Sequence, residues 1–321
     1  MANDNLNSGY GQMRADALAT IAGAAGKTFI VAKSAAACAD IMRTLFIPDS
    51  DGTNRYFATL SSASAACTAS RGDVILIAPG HTETISSSTA LTLSVAGVTI
   101  IGLGTGSLRP TFTLDTATSA RINVSAANVT FKNCLFIANF ADIVTCFLLS
   151  TAPEFQVLNC EFRDTSSVLN FIALITTTVS VNSDGLVFNG NRVSMLGTTA
   201  ATTPIKVLNT LDRITINDNF IVKAVLNNVS CVLAHAALVV TNLEMSRNKV
   251  FSSNTDTATG GILITTSSTT NTGMVSDNYI KALDVVAAIL VTAGSIYGMT
   301  NNLYNGDADA SGFVLPAIGA N

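Results

Sequence analysis

The sequence predicts an all-β solenoid, a single-stranded parallel β-helix, and two observations carry that prediction. The first is a short phrase that returns along the chain. Residues 129–136 (VTFKNCLF) and 155–162 (FQVLNCEF) are its clearest copies, and residues 186–193, 214–221, 243–250, 274–280 and 297–304 are looser ones. Each places an Asn between two apolar alternations, at 133, 159, 191, 219, 248, 278 and 302, with spacings of 26, 32, 28, 29, 30 and 24. A phrase recurring at such a period marks a stacked repeat. The second observation is alternation. Phe131, Asn133 and Leu135, like Ile214 and Ile216, recur every two residues, which is strand periodicity. Leucine-rich repeats would need Leu at fixed positions, and helical repeats a 3.6 period; residues 129–304 show neither. Asn suits the bend between short strands because it tolerates positive φ and bonds nearby backbone, and stacked Asn side chains can bond to one another as a ladder.

Residues 71–85 (RGDVILIAPGHTETI) follow a helical segment and open the coils. With the repeated phrase they resemble the right-handed parallel β-helix of the pectin-lyase-like superfamily, with His81 where Tyr or Thr is usual. That resemblance spans residues 70–305. It implies a right-handed coil, and it covers polysaccharide lyases, glycoside hydrolases and phage tailspikes, so it says little about function. Residues 42–85 also resemble segments of phage virion proteins of this superfamily.

In chain order, residues 1–70 are expected to form an arm and a capping region. Helices are expected over 13–22, 34–46 and 56–69, with a strand at 27–33. Terminal caps are expected because a solenoid end exposes core and unpaired strand edges. Residues 71–305 form the β-helix. Counting the coil at 98–101 with the seven Asn coils gives eight, a rod about 38 Å long at about 4.8 Å per coil. Further strands are expected at 74–78, 91–95, 143–149, 168–175, 205–208, 229–233, 237–240, 261–265 and 285–292. Residues 306–321 are expected to cap the end or make a contact.

The chain has 48% hydrophobic and 12% charged residues, against about 25% charged in an average soluble protein. With a mean hydropathy of +0.45, this neutral surface suggests that much of the outside meets another protein. The net charge of −4 without a basic run argues against nucleic acid, which requires clustered Lys and Arg. Residues 1–7 show neither the charged nor the apolar region of a signal peptide, so synthesis in a cytoplasm is expected, with any route out other than the signal-peptide route. The longest apolar stretch, residues 285–299, is interrupted by Thr292, Gly294 and Ser295 and is too short to span a bilayer.

No CxxC pair occurs among Cys38, Cys67, Cys134, Cys146, Cys160 and Cys231, so no zinc site is expected. Cys134 and Cys160 fall on successive copies and should stack, within disulfide reach, although buried thiols are the expected state. Gly102, Gly104 and Gly106 read as a turn, because no phosphate-loop spacing or helix follows.

Hydrolysis on this fold would need paired carboxylates. Glu161 with Asp164, and Asp212 with Asp218, are the candidate pairs, each expected within one turn. Asn254-Thr255-Asp256 resembles the first motif of polygalacturonase-like hydrolases, but the paired Asp, Gly-His-Gly and Arg-x-Lys motifs do not follow. Asp307 to Gly312 opens like a calcium loop, but Ile318 stands where a bidentate Glu is needed. Arg109-Pro110 is too short to carry a lyase arginine motif. His81 is expected in a turn and His235 as a packed strand residue. No catalytic, cofactor or metal residue is therefore assigned. Trp is absent and aromatics are 6%, which counts against a glycan reader.

By elimination and resemblance, the expectation is a non-enzymatic virion structural protein. It would be a capsid decoration or cement protein on the outer capsid surface, a homotrimer bound to a major capsid protein, with no nucleic-acid or membrane partner. The alternative is a tailspike, or another β-helix that binds or degrades polysaccharide.

Overall fold

In the computed structural model the described residues are 26–33, 55–179, 182–197, 202–224, 232–235, 238–253, 264–266, 270–282, 296–305 and 312–313. They form a parallel β-solenoid of about seven turns with one short helix.

Three sheets run along the coil. Sheet A stacks eleven strands in the order Tyr56–Phe57, Thr28–Val31, Val74–Ile77, Thr99–Gly102, Thr130–Lys132, Gln156–Leu158, Val187–Asn189, Thr215–Asn217, Leu243–Ser246, Thr272–Ser276 and Ile296–Thr300. Sheet B stacks Thr82–Ile85, Thr111–Leu114, Leu135–Ala138, Glu161–Asp164, Arg192–Met195, Phe220–Lys223, Lys249–Ser252, Tyr279–Ala282 and Leu303–Asn305, closed by Gly312–Phe313. Among the described residues only that last strand pairing is antiparallel. Sheet C stacks Leu91–Leu93, Ile122–Val124, Phe147–Leu149, Ala173–Thr177, Thr203–Lys206, Leu233–His235 and Ile264–Thr266. A two-stranded ladder, Leu211–Asp212 with Val240–Thr241, lies between C and A. Among the described residues the chain therefore makes seven full A–B–C coils, beginning at Val74, one coil before the count taken from the sequence. The strand Thr28–Val31 joins sheet A beside Val74–Ile77.

Inward positions alternate with outward ones, as strand geometry requires. Phe112, Phe136 and Phe162 occupy one inward column of sheet B, with centroids 5.6 and 5.1 Å apart and nearly parallel rings. Phe131, Phe147, Phe155 and Phe188 pack around them. All are fully buried.

The helix at the N-terminal end is shorter than expected. Tyr56–Phe57 is a strand paired with Ile30 and Val31, and the helix spans Leu60–Ala66. Thr59 caps it by accepting the Ser62 N–H at 3.3 Å. Its Leu60 and Ala63 join the core and cover the first coil. The helices expected at 13–22 and 34–46, the strand at 285–292, Asn254–Asp256 and most of 306–321 lie outside the described residues.

The repeated phrase resolves into two positions. Leu158 pairs with Asn189, so Asn159 stands level with Gly190 and Cys160 with Asn191. Asn133 and Asn159 take positive φ (55° and 54°), as do Gly190, Asp218, Arg247, Asp277 and Asn301 in later coils. The ladder position is the next residue: Cys134, Cys160, Asn191, Asn219, Asn248, Asn278 and Asn302. The seven Asn of the sequence phrase are thus not one column. The first two make the bend, and the last five make the ladder.

In that ladder each Asn Oδ1 accepts the backbone N–H of the residue one coil earlier: Asn191 from Cys160 at 2.9 Å, Asn219 from Asn191 at 2.9 Å and Asn302 from Asn278 at 3.1 Å. Each Nδ2 donates to a carbonyl of sheet A, for example Asn248 to Ile216 O at 2.7 Å. The buried turn thus satisfies its own polar groups. Cys134 and Cys160 do stack, as free thiols.

Candidate binding face

Sheet B turns one side to the core and the other outward. The residues one and three after each ladder position point outward, because the one between them points in. In four successive strands these outward pairs are Arg192 and Ser194, Phe220 and Val222, Lys249 and Phe251, and Tyr279 and Lys281. Register sets Arg192, Phe220, Lys249 and Tyr279 in one column and Ser194, Val222, Phe251 and Lys281 in the other. The inward partners Val193, Ile221, Val250 and Ile280 are buried.

The aromatics meet across the diagonals. Phe220 and Phe251 are 5.3 Å apart, and Phe251 and Tyr279 5.8 Å, with tilted rings. The Arg192 guanidinium stands 5.4 Å over the Phe220 ring, a cation–π contact. All three rings are half-buried, while Arg192, Lys249 and Lys281 are exposed. The aromatics form a zigzag rail with cations at alternate corners. These eight outward positions hold three cations and no carboxylate. Asp218 and Asp277 lie in the turns entering the strands. Arg247 grips Asp218 at 2.8 and 2.9 Å and holds its carboxyl below the usual range.

Composition counted against aromatic stacking, but the structure gathers half-buried aromatics on one face. The signal was present in the sequence as fixed offsets from Asn219, Asn248 and Asn278. It became readable only once those residues were known to share a column.

The candidate acids do not come together. Glu161 and Asp164 lie in one strand at odd spacing and so face opposite sides of the sheet. Outward Glu161 is held by Arg109 at 3.0 Å and by Arg163. Asp164 is buried and accepts the N–H groups of Phe171, Leu196 and Gly197 at 2.9, 2.6 and 3.3 Å. Burial pushes its carboxyl up to about 7, against the opposing pull of those three bonds. It fastens the turns between sheets B and C.

Asp212 and Asp218 lie beyond opposite ends of the sheet A strand Thr215–Asn217, not in one turn. Asp212 accepts from Thr241 Oγ1 at 2.6 Å and Asn242 Nδ2 at 2.7 Å, which lower its pKa. Each of the four acids thus has its own structural partners. No group of three or more His, Cys, Asp or Glu is placed to hold a metal among the described residues.

His81 is fully buried beside Glu83, Nε2 to Oε2 3.3 Å. Its Nδ1 accepts the Lys33 N–H at 3.1 Å, so the Nε2 proton is directed to the carboxylate. Glu83 also accepts the Leu60 N–H at 2.9 Å, so the pair ties the helix to the first coil. His235 is buried on sheet C, and burial lowers its pKa. Gly102 ends a strand, and its carbonyl with that of Gly104 accepts from Asn133 Nδ2 at 2.8 and 2.9 Å. The chain then passes through a short 3-10 helix, Gly106–Leu108, which the sequence reading did not expect. Arg109 holds Glu161.

No protein-family model matches the chain, and no curated protein does. Among solved structures, a rhamnogalacturonan lyase is 13% identical over 91% of this chain and 90% of that chain, with a TM-score of 0.38. At that identity and score the likeness carries no weight for function. The fold assignment rests on the strand ladders themselves.

Proposed function

We propose that this chain is a tailspike-like, polysaccharide-engaging β-helix that binds through the outer face of sheet B. The observation behind this reading is the rail of Phe220, Phe251 and Tyr279 flanked by Arg192, Lys249 and Lys281. Aromatic faces stack on the C–H face of a pyranose, and flanking donors take its oxygens. Coils rigidly stacked by the ladder hold these groups at strand spacing, so ordering them costs little on binding. The reading assigns binding rather than cleavage, because the candidate acids are already bonded structurally. Affinity electrophoresis through gels cast with dextran, alginate or polygalacturonate tests it. Retardation by at least one polysaccharide is expected, and unchanged mobility in all of them overturns it.

A second reading is a virion decoration or cement protein, acting as a homotrimer on a capsid surface. What supports it is the neutral end of the same sheet, where Thr82, Thr84, Thr111 and Thr113 form the outward positions. Light scattering and quantitative mass spectrometry of purified particles test it. A trimer present near the copy number of the shell protein is expected under this reading. A monomer, or absence from particles, overturns it.

A further inference from the structure

We infer that His81 is an acid-sensitive latch: a second proton on its ring releases the Lys33 N–H and opens the N-terminal end of the solenoid. The inference is independent of what sheet B binds, and hydrogen-bond geometry carries it. A backbone N–H can only donate, and that of Lys33 donates to His81 Nδ1 at 3.1 Å. Nδ1 is therefore the bare nitrogen, while Nε2 faces the Glu83 carboxylate at 3.3 Å. An imidazolium carries a proton on both nitrogens. A proton on Nδ1 would set N–H against N–H around a fully buried ring. Protonation there and the Lys33 bond exclude each other. A proton that binds only the opened form draws the equilibrium toward it by mass action.

Three pieces of chain meet at this ring. Lys33 follows the strand Thr28–Val31, which lies between Tyr56–Phe57 and Val74–Ile77 in sheet A. Glu83 Oε2 also accepts the N–H of Leu60, the first residue of the helix, at 2.9 Å. His81 and Glu83 themselves belong to the first coil. Glu83, Phe112, Phe136 and Phe162 share one inward column of sheet B, and the His81 ring lies 6.3 Å from that of Phe112. The latch thus stands at the end of the phenylalanine stack. Its release frees the first strand and the helix from the coil and uncovers that end of the core.

Among the described residues Glu83 is the one charged group bonded to the ring. The strands Thr28–Val31, Val74–Ile77 and Thr111–Leu114 and the helix Leu60–Ala66 carry no titratable side chain. Asp73 and Arg71 pair with each other before the start of Val74–Ile77, and Asp73 holds the Lys27 N–H there. Arg55 lies level with Phe29, before the start of Tyr56–Phe57. Both places are at the opposite end of those strands from Lys33. Asp164 shifts stability in the other direction, toward acid, so it does not mimic a loss confined to this end.

The test is amide hydrogen exchange of the full chain from about pH 8 to about pH 5, the interval in which imidazole charges, corrected for the intrinsic rate at each pH. Protection at Lys33 and Leu60 should fall together, by up to about tenfold per pH unit, and recover on return to the higher pH. Gln156, whose N–H bonds to Val129 O at 2.9 Å in the middle of the rod, should keep its protection. His81→Gln offers an acceptor and a donor without a titrating nitrogen, so protection at Lys33 and Leu60 should become flat with pH. A thermal melt establishes that this variant folds. If it does not, the Cε1–H NMR signal of His81 in the parent decides, because its titration should track the loss at Lys33. Constant protection at Lys33 across the interval, or a loss that does not track that signal, would overturn the latch. Loss at Leu60 alone would place the proton on Glu83 and overturn it. A loss shared equally with Gln156, or one that persists in folded His81→Gln, would do the same.

Discussion

Asn248 Oδ1 accepts two hydrogen bonds from Asn219, from its backbone N–H at 3.1 Å and from its side-chain Nδ2 at 2.8 Å. One buried oxygen thereby satisfies two donors of the coil before it, while its own Nδ2 reaches Ile216 O. Asn248→Ala would take these bonds from the Asn219 N–H and the Ile216 carbonyl at once, while the Asn219 Nδ2 keeps Phe188 O at 2.8 Å. Leaving buried polar groups unsatisfied costs about 1–3 kcal/mol each, so a loss of at least about 2 kcal/mol is expected. Denaturant unfolding, with amide exchange at Asn219 as the local probe, measures it. An exchange rate at Asn219 equal to the parent's would refute the ladder's energetic role.

Asp164 gives the pH dependence. Its carboxyl is raised to about 7 by burial, from an ordinary 3.8. Between those values the folded chain binds a proton that the unfolded chain has released. Stability from this group is therefore full below about pH 4, falls as pH rises to about 7, and is flat above. The span is on the order of 4 kcal/mol. Asp164→Asn should flatten that slope. It should also lower stability at acid pH, because its amide nitrogen cannot accept the Leu196 or Gly197 N–H. Urea midpoints from pH 4 to 8 for both proteins decide it, and parallel curves would rule out Asp164 as the titrating group.

The thiols of Cys134, Cys146 and Cys160 are fully buried, and burial holds their pKa values well above normal, to about 12 for Cys160. The thiolate is the reactive form. Iodoacetamide at pH 8 should leave these three unmodified in the folded chain and label them in denaturant, as peptide mass spectrometry would report. Rapid labelling in the native state would contradict their packing.

Phe136 sits between Phe112 and Phe162 and also touches Phe131 and Phe147. Phe136→Ala opens a cavity in the middle of the rod, with a cost of about 3–5 kcal/mol. Phe136→Leu should recover most of it. A melting temperature unchanged in the Ala variant would mean that the coils repack freely.

The sequence by itself determined the parallel β-helix. Alternation and a period near thirty residues are local properties, and no other stacked repeat accommodates both. It also marked two of the bend residues, Asn133 and Asn159, and foretold the free, stacked Cys134 and Cys160. Only the tertiary structure decided register. Coil lengths differ, so nothing local reveals that Asn133 and Asn159 are bend residues, whereas Asn191 and its successors stand one place on. One place in a strand exchanges inside for outside. Register gathers Phe220, Phe251 and Tyr279 on one outward face, while the odd spacing of Glu161 and Asp164 within their one strand sets them on opposite sides of the sheet. Side chains some thirty residues apart become neighbours only when the coils stack, and a linear chain carries no measure of that distance.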